Sequence, residues 1–167
     1  MKTLNLKLQG GLSLRPNIKI DGKDISYKRN KHDNIVLKYQ TEKDSVDLTI
    51  ENTLEIMGKG WWFVQMFFFI ISCFGIFNPR LEKTCYCIKY SAKISLPNDE
   101  NDVVLKFNMP KDKQKAITTD AAVEESENEY LLDEVAKKRK KILKWSFILS
   151  WVLLLVIVVL VVCVKAF

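Results

Sequence analysis

The sequence predicts a mainly β fold, a small antiparallel β-sandwich or barrel interrupted by an apolar membrane-associated insert and followed by a helix running into a C-terminal transmembrane helix. Three observations lead to this class. Apolar and polar residues alternate with period two through most of residues 4–107, the pattern of half-buried strands. Two stretches, Gly60–Phe77 and Trp145–Val164, contain no Lys, Arg, Asp, Glu or His. Six cations, Lys137, Lys138, Arg139, Lys140, Lys141 and Lys144, stand directly before the second stretch.

The first part of the β domain, residues 1–59, opens on Leu4, Leu6 and Leu8 and continues with Ile18 and Ile20 up to Asp21-Gly22. Asp-Gly tolerates the positive φ angles of a two-residue hairpin turn, so Asn17–Ile20 is expected to pair with Asp24–Lys28. Ile35–Tyr39 supplies another short strand, and Val46, Leu48 and Ile50 alternate with Asp47, Thr49 and Glu51 in the next. The same alternation resumes in residues 78–109, with Ile88 and Tyr90, then Ile94 and Leu96, then Val103, Leu105 and Phe107. Neither part is long enough to bury a sufficient apolar core alone, so the reading is one β domain interrupted by residues 60–77.

Pro110 ends the strand pattern, and residues 110–125 read as a polar acidic linker. Ser126 and Glu129 have the S-x-x-E spacing of a capping box, which predicts an amphipathic, basic juxtamembrane helix over 126–144. Acids lie at its start and cations at its end, as the helix dipole favours. Residues 145–164 rise about 30 Å as a helix, the thickness of a hydrocarbon core. The organisation of residues 137–167 resembles a tail anchor, in which one C-terminal helix holds a cytosolic domain on a membrane. The positive-inside bias then keeps the bulk of the chain cytosolic and carries the C-terminus to the far side.

Gly60–Phe77 admits three dispositions. As a helix its 18 residues rise about 27 Å, enough to span, with Trp61 and Trp62 in one headgroup belt and Trp145 in the belt of the other helix. Spanning would put residues 1–59 outside as a sensor and split the β domain. An in-plane or re-entrant insert keeps the domain whole provided that its backbone is hydrogen-bonded. Burial in a soluble core is the third. Gln65 and Ser72, and likewise Ser146 and Ser150, share helical faces that can bond between helices or simply be tolerated near membrane ends.

Composition excludes several functions. Without the six juxtamembrane cations the remaining 20 Lys and Arg balance 20 Asp and Glu, so the diffuse basic footprint of a nucleic-acid binder is missing. His32, the single histidine, lies in a polar loop, and no positioned base beside a nucleophile is recognisable. Cys85 and Cys87 face one side of a strand, two thiols short of a tetrahedral metal site, and core packing is the bland reading beside redox use or acylation. No catalytic residue, metal or cofactor is expected. Gly10-Gly11 and Gly58-Lys59-Gly60 lack phosphate-loop spacing. The first ten residues lack the apolar core of a signal peptide, so cleaved export is not expected.

The expectation is a non-enzymatic integral membrane protein presenting a cytosolic β domain as an interaction or regulatory module, an adaptor or accessory subunit. Its expected partners are membrane lipids, anionic ones among them, and a protein partner or second copy within the membrane. A small membrane-resident immunity protein against a toxin or bacteriocin is the alternative compatible with the same size and attachment.

Overall fold

The computed structural model describes residues 1–10, 15–30, 34–52, 54–73 and 85–166; the His32 loop and the end of the first apolar stretch lie outside the described residues. Among the described residues there are ten strands, the longer of which mostly follow the alternation in the sequence. They are β1 (Lys2–Gln9), β2 (Pro16–Ile20), β3 (Lys23–Asp24), β4 (Lys28–Arg29), β5 (Ile35–Thr41), β6 (Ser45–Asn52), β7 (Tyr86–Ser95), β8 (Glu100–Phe107), β9 (Ile117–Thr119) and β10 (Val123–Leu132). Among the described residues, helix α1 (Trp61–Cys73) lies within the first apolar stretch and helix α2 (Glu134–Ala166) runs through the basic segment and the second stretch.

The strands form two five-stranded sheets, in the orders β4-β5-β1-β8-β9 and β10-β7-β6-β2-β3. Their inward residues make one core, with Leu4, Leu6 and Leu8 from the first sheet and Ile18, Ile20, Leu48, Ile50, Ile88, Tyr90 and Ile94 from the second. Each core position is separated from the next by a polar or exposed one, so a register slip of one residue would turn the apolar set outward. The sheets do not close into a barrel. Nor are they wholly antiparallel, because β1 runs parallel to β8, Leu6 beside Val103 and Leu8 beside Leu105. Hairpin partners account for the antiparallel pairs that local alternation anticipates; β1 instead sits between β5 and a strand almost a hundred residues later.

The chain divides into two compact units: residues 1–53 with 83–133, and residues 54–82 with 134–167. Within the first, β6 precedes the apolar insert and β7 follows it, yet the two pair from Ser45↔Ser95 to Glu51↔Lys89. The hydrogen-bonded ladder therefore joins chain from both sides of residues 60–77.

Two expectations are corrected here. Residues 126–132 are strand, not helix: β10 pairs with β7 from Val123↔Ile94 to Leu132↔Tyr86. Ser126 does not cap a helix; it lies at a register shift between Glu125 and Glu127, and its hydroxyl donates to the Ser91 carbonyl at 3.0 Å. Cross-strand lysines supply the cations missing along the acidic run, as in the 2.9 Å pair Lys89–Glu127. The spacing of Asn128, Tyr130 and Leu132 is period two, and with Tyr130 fully buried that face outweighs the capping signal. Helix α2 begins only at Glu134, so Leu131 is a strand residue. The supposed linker 110–125 likewise contains β9, whose β-branched residues Ile117, Thr118 and Thr119 add an edge to the first sheet through Phe107↔Ile117.

Asn128 ties this late segment down. Its side-chain oxygen accepts from the Ala116 and Ile117 amides at 3.0 and 2.9 Å, and its amide donates to the Ile117 carbonyl at 2.8 Å. A side chain on β10 of one sheet thereby satisfies the backbone beside β9 of the other. Burial pushes the neighbouring Glu125 carboxyl up, but hydrogen bonds from Asn128 and Lys115 outweigh this and hold it below its ordinary value.

The Asp21-Gly22 turn forms as expected, with φ of 50° and 75°, and Lys19 and Ile20 pair with Asp24 and Lys23. The Asp21 carboxylate accepts from Lys43 Nζ at 2.8 Å and from the Asp47 amide at 3.1 Å. The Lys43 hydrogen bond holds the Asp21 carboxyl below its ordinary range against a smaller opposing effect of burial. A carboxyl whose pKa is lower folded than unfolded stabilises the fold above its unfolded pKa, and that contribution disappears as pH falls through the folded value. Stability measured by denaturant titration is accordingly expected to fall below about pH 4, with a shallower slope in Asp21→Asn; an unchanged slope would show that the pair contributes nothing.

Candidate membrane-interface site

The second unit is built from the apolar stretches. Gly60, at φ 69°, turns the chain into α1 after a short 3-10 turn at Glu55–Met57. The thirteen residues of α1 rise about 20 Å, whereas α2, at thirty-three residues, rises about 50 Å, of which 145–164 make up about 30 Å. Within α2 one helix is long and apolar enough to cross a membrane, and its most apolar window has no buried residue.

The contacts between the helices run in register. The Arg139 guanidinium lies 5.3 Å from the centroid of the Trp61 ring and donates to the Ile56 carbonyl at 2.9 Å. Trp62 Nε1 donates to Ser146 Oγ at 3.0 Å. Phe69 stacks on Phe147 at 4.3 Å between centroids and meets Trp151 edge-on at 6.2 Å. Residue numbers rise together along this seam, so α1 runs in the same direction as α2 from its basic start into its apolar part. Gln65 is buried in α1, while Phe63, Val64, Phe67 and Ile70 are exposed and apolar. Of the serines, Ser146 bridges the helices; Ser72 and Ser150 donate back to the carbonyls of Phe69 and Ser146 in their own helices.

The six cations divide by environment. Lys137 pairs with Glu134 at 3.3 Å, and Arg139 is turned toward Trp61 and Ile56. Lys138, Lys140, Lys141 and Lys144 are exposed. Lys138 and Lys141 border an open groove of about 700 Å³ whose other lining residues are Ile142, Trp145, Ser146 and Leu149. Ser146, which accepts from Trp62 Nε1, thus lies at the border between this groove and the seam with α1.

Cys85 and Cys87 lie in the first unit. Both are half-buried and outside any disulfide; the Cys85 carbonyl accepts from the Asp133 amide at 2.9 Å, and Cys87 is in register with Leu131. Among the described residues, no group of three or more His, Cys, Asp or Glu side chains could hold a metal ion. Sequence reading missed the Arg139–Trp61 contact and the Asn128 clasp, each depending on a partner far away in the chain; a lone arginine among five lysines was the available signal for the first, since guanidinium stacks on aromatic rings better than ammonium.

Arg139→Ala removes a cation–π contact and a charge-assisted hydrogen bond. It is expected to loosen α1 by about 1–3 kcal/mol, read as about fivefold or more faster amide exchange in residues 64–68 relative to wild type. Unchanged exchange would mean that the aromatic seam alone holds the helix.

These features define a class: a β-rich protein of two sheets carrying a C-terminal helix long and apolar enough to cross a membrane. No family model, curated protein or solved structure matches the chain.

Proposed function

We propose that this chain is a membrane-anchored, non-enzymatic interaction or regulatory module whose β domain stands at the cytosolic face. The observation that carries the reading is the β6–β7 ladder across the apolar insert, taken with the exposed apolar length of α2. A bilayer between residues 1–59 and 78–109 would separate hydrogen-bonded partners, so α1 enters the membrane beside α2 and the chain returns on the side it left. Phe69 lies at the level of Phe147 and Trp151, about 3–9 Å into the apolar part of α2.

In this reading the cations of 137–144 fix orientation by the positive-inside bias. The exposed apolar face of α1, with Phe63, Phe67 and Ile70, meets lipid or a partner helix. The acidic stretch of β10, an edge strand, offers a basic partner a charged surface. Isolation of the full chain in mild detergent with chemical crosslinking should recover a defined second polypeptide or a homo-oligomer. A uniform lone monomer at native expression would overturn the interaction role.

A further inference from the structure

We infer that the groove bordered by Lys138 and Lys141 binds one anionic phospholipid, its phosphate between the two ammonium groups and an acyl chain along Ile142, Trp145 and Leu149. This rests on the membrane-anchored reading above. The lining residues recur at helical intervals of three or four and so occupy one side of α2. Arg139, Phe147 and Trp151, which engage α1, lie on another side. Ser146, which lines the groove and accepts from Trp62 Nε1, marks the border between the two sides, so the groove flanks the helix seam while Lys138, Lys141, Ile142, Trp145 and Leu149 take no part in the contacts with α1 given above.

Its chemistry is graded along the axis. Lys138 and Lys141 lie before the apolar stretch, and Trp145 and Leu149 within it. From Lys138 to Leu149 the rise is about 16 Å, from headgroup level into the acyl region. Ile142, Trp145 and Leu149 are each half exposed or more. Charge complementarity selects the occupant. Lys137 has Glu134 and Arg139 has the Ile56 carbonyl, but neither Lys138 nor Lys141 has an ion pair among the described residues. A soluble phosphate would leave the apolar part of the groove unused, and an apolar helix would leave both ammonium groups facing hydrocarbon. A diacyl lipid with a net negative headgroup satisfies both ends.

The test uses full-length protein in nanodiscs of phosphatidylcholine with a minor fraction of phosphatidylglycerol, released into native mass spectrometry. Wild type should retain one phosphatidylglycerol per chain. Lys138→Gln with Lys141→Gln should lower retention about tenfold or more, and Trp145→Ala should lower it with both lysines present. Lys137→Gln with Lys144→Gln removes the same charge outside the groove and should leave retention unchanged. Equal losses in the two double variants would reduce the effect to diffuse surface charge and overturn the site, as would the absence of retained lipid. Alkaline carbonate extraction of the same variants separates this failure from that of the anchor: protein that stays in the membrane fraction without retaining lipid refutes the site alone.

Discussion

Asn128→Ala is expected to destabilise the β domain by about 2–4 kcal/mol, an unusually large effect for a residue on an edge strand. The loss leaves the Ala116 and Ile117 amides, both on residues with no solvent exposure, and the Ile117 carbonyl without the Asn128 side chain that now pairs with them. An unsatisfied buried group costs about 1–3 kcal/mol, and partial solvent access at Asn128 limits the sum. Because the clasp joins β10 of one sheet to the segment at β9 of the other, the damage should spread. Amide exchange should accelerate across both strands, and the urea midpoint should fall without a change in slope. A loss below about 0.5 kcal/mol would mean that water replaces the side chain.

The second large effect concerns α2. Leu154→Lys with Val158→Lys places two ammonium groups one helical turn apart near the centre of the apolar stretch. On insertion scales each costs about 2.5–3.5 kcal/mol there, together enough to abolish stable insertion of a single helix. The protein should move from the carbonate-resistant membrane fraction to the soluble or aggregated fraction. The matched pair Leu154→Ala with Val158→Ala should remain embedded. Retention of the lysine variant would show that α1 or a partner, not α2, provides the attachment.

Period-two alternation made the strands legible, since β1, β2, β6, β7 and β8 each carry successive apolar residues two apart on the buried face. The Asp21-Gly22 turn was legible for a local reason, the positive φ that both residues adopt. Residues 126–132 were misread because the S-x-x-E spacing is a four-residue signal. The forces that make this segment a strand lie elsewhere in the sequence: Lys89 on β7, the Ser91 carbonyl, and the core that receives Tyr130. Tyr130 also donates its hydroxyl to the Asn108 carbonyl at 2.9 Å, a long-range bond that patterning does not contain. Charge pattern and length identified α2 without tertiary information, whereas α1 could not be placed by length alone. Its disposition depends on which strands pair across it, a property of the whole sheet.

The most direct measurement is sidedness on the two flanks of α1. In a background with all four cysteines replaced by serine, Ser26→Cys and Ser95→Cys place single thiols at exposed positions before and after the insert. A membrane-impermeant maleimide is applied to intact cells and again after permeabilisation. The β6–β7 ladder requires identical behaviour at the two positions, and the basic flank of α2 predicts labelling of both only after permeabilisation. Labelling of Ser26→Cys in intact cells with Ser95→Cys protected would mean that residues 60–77 cross the bilayer, and the account of one β domain on one face would fail.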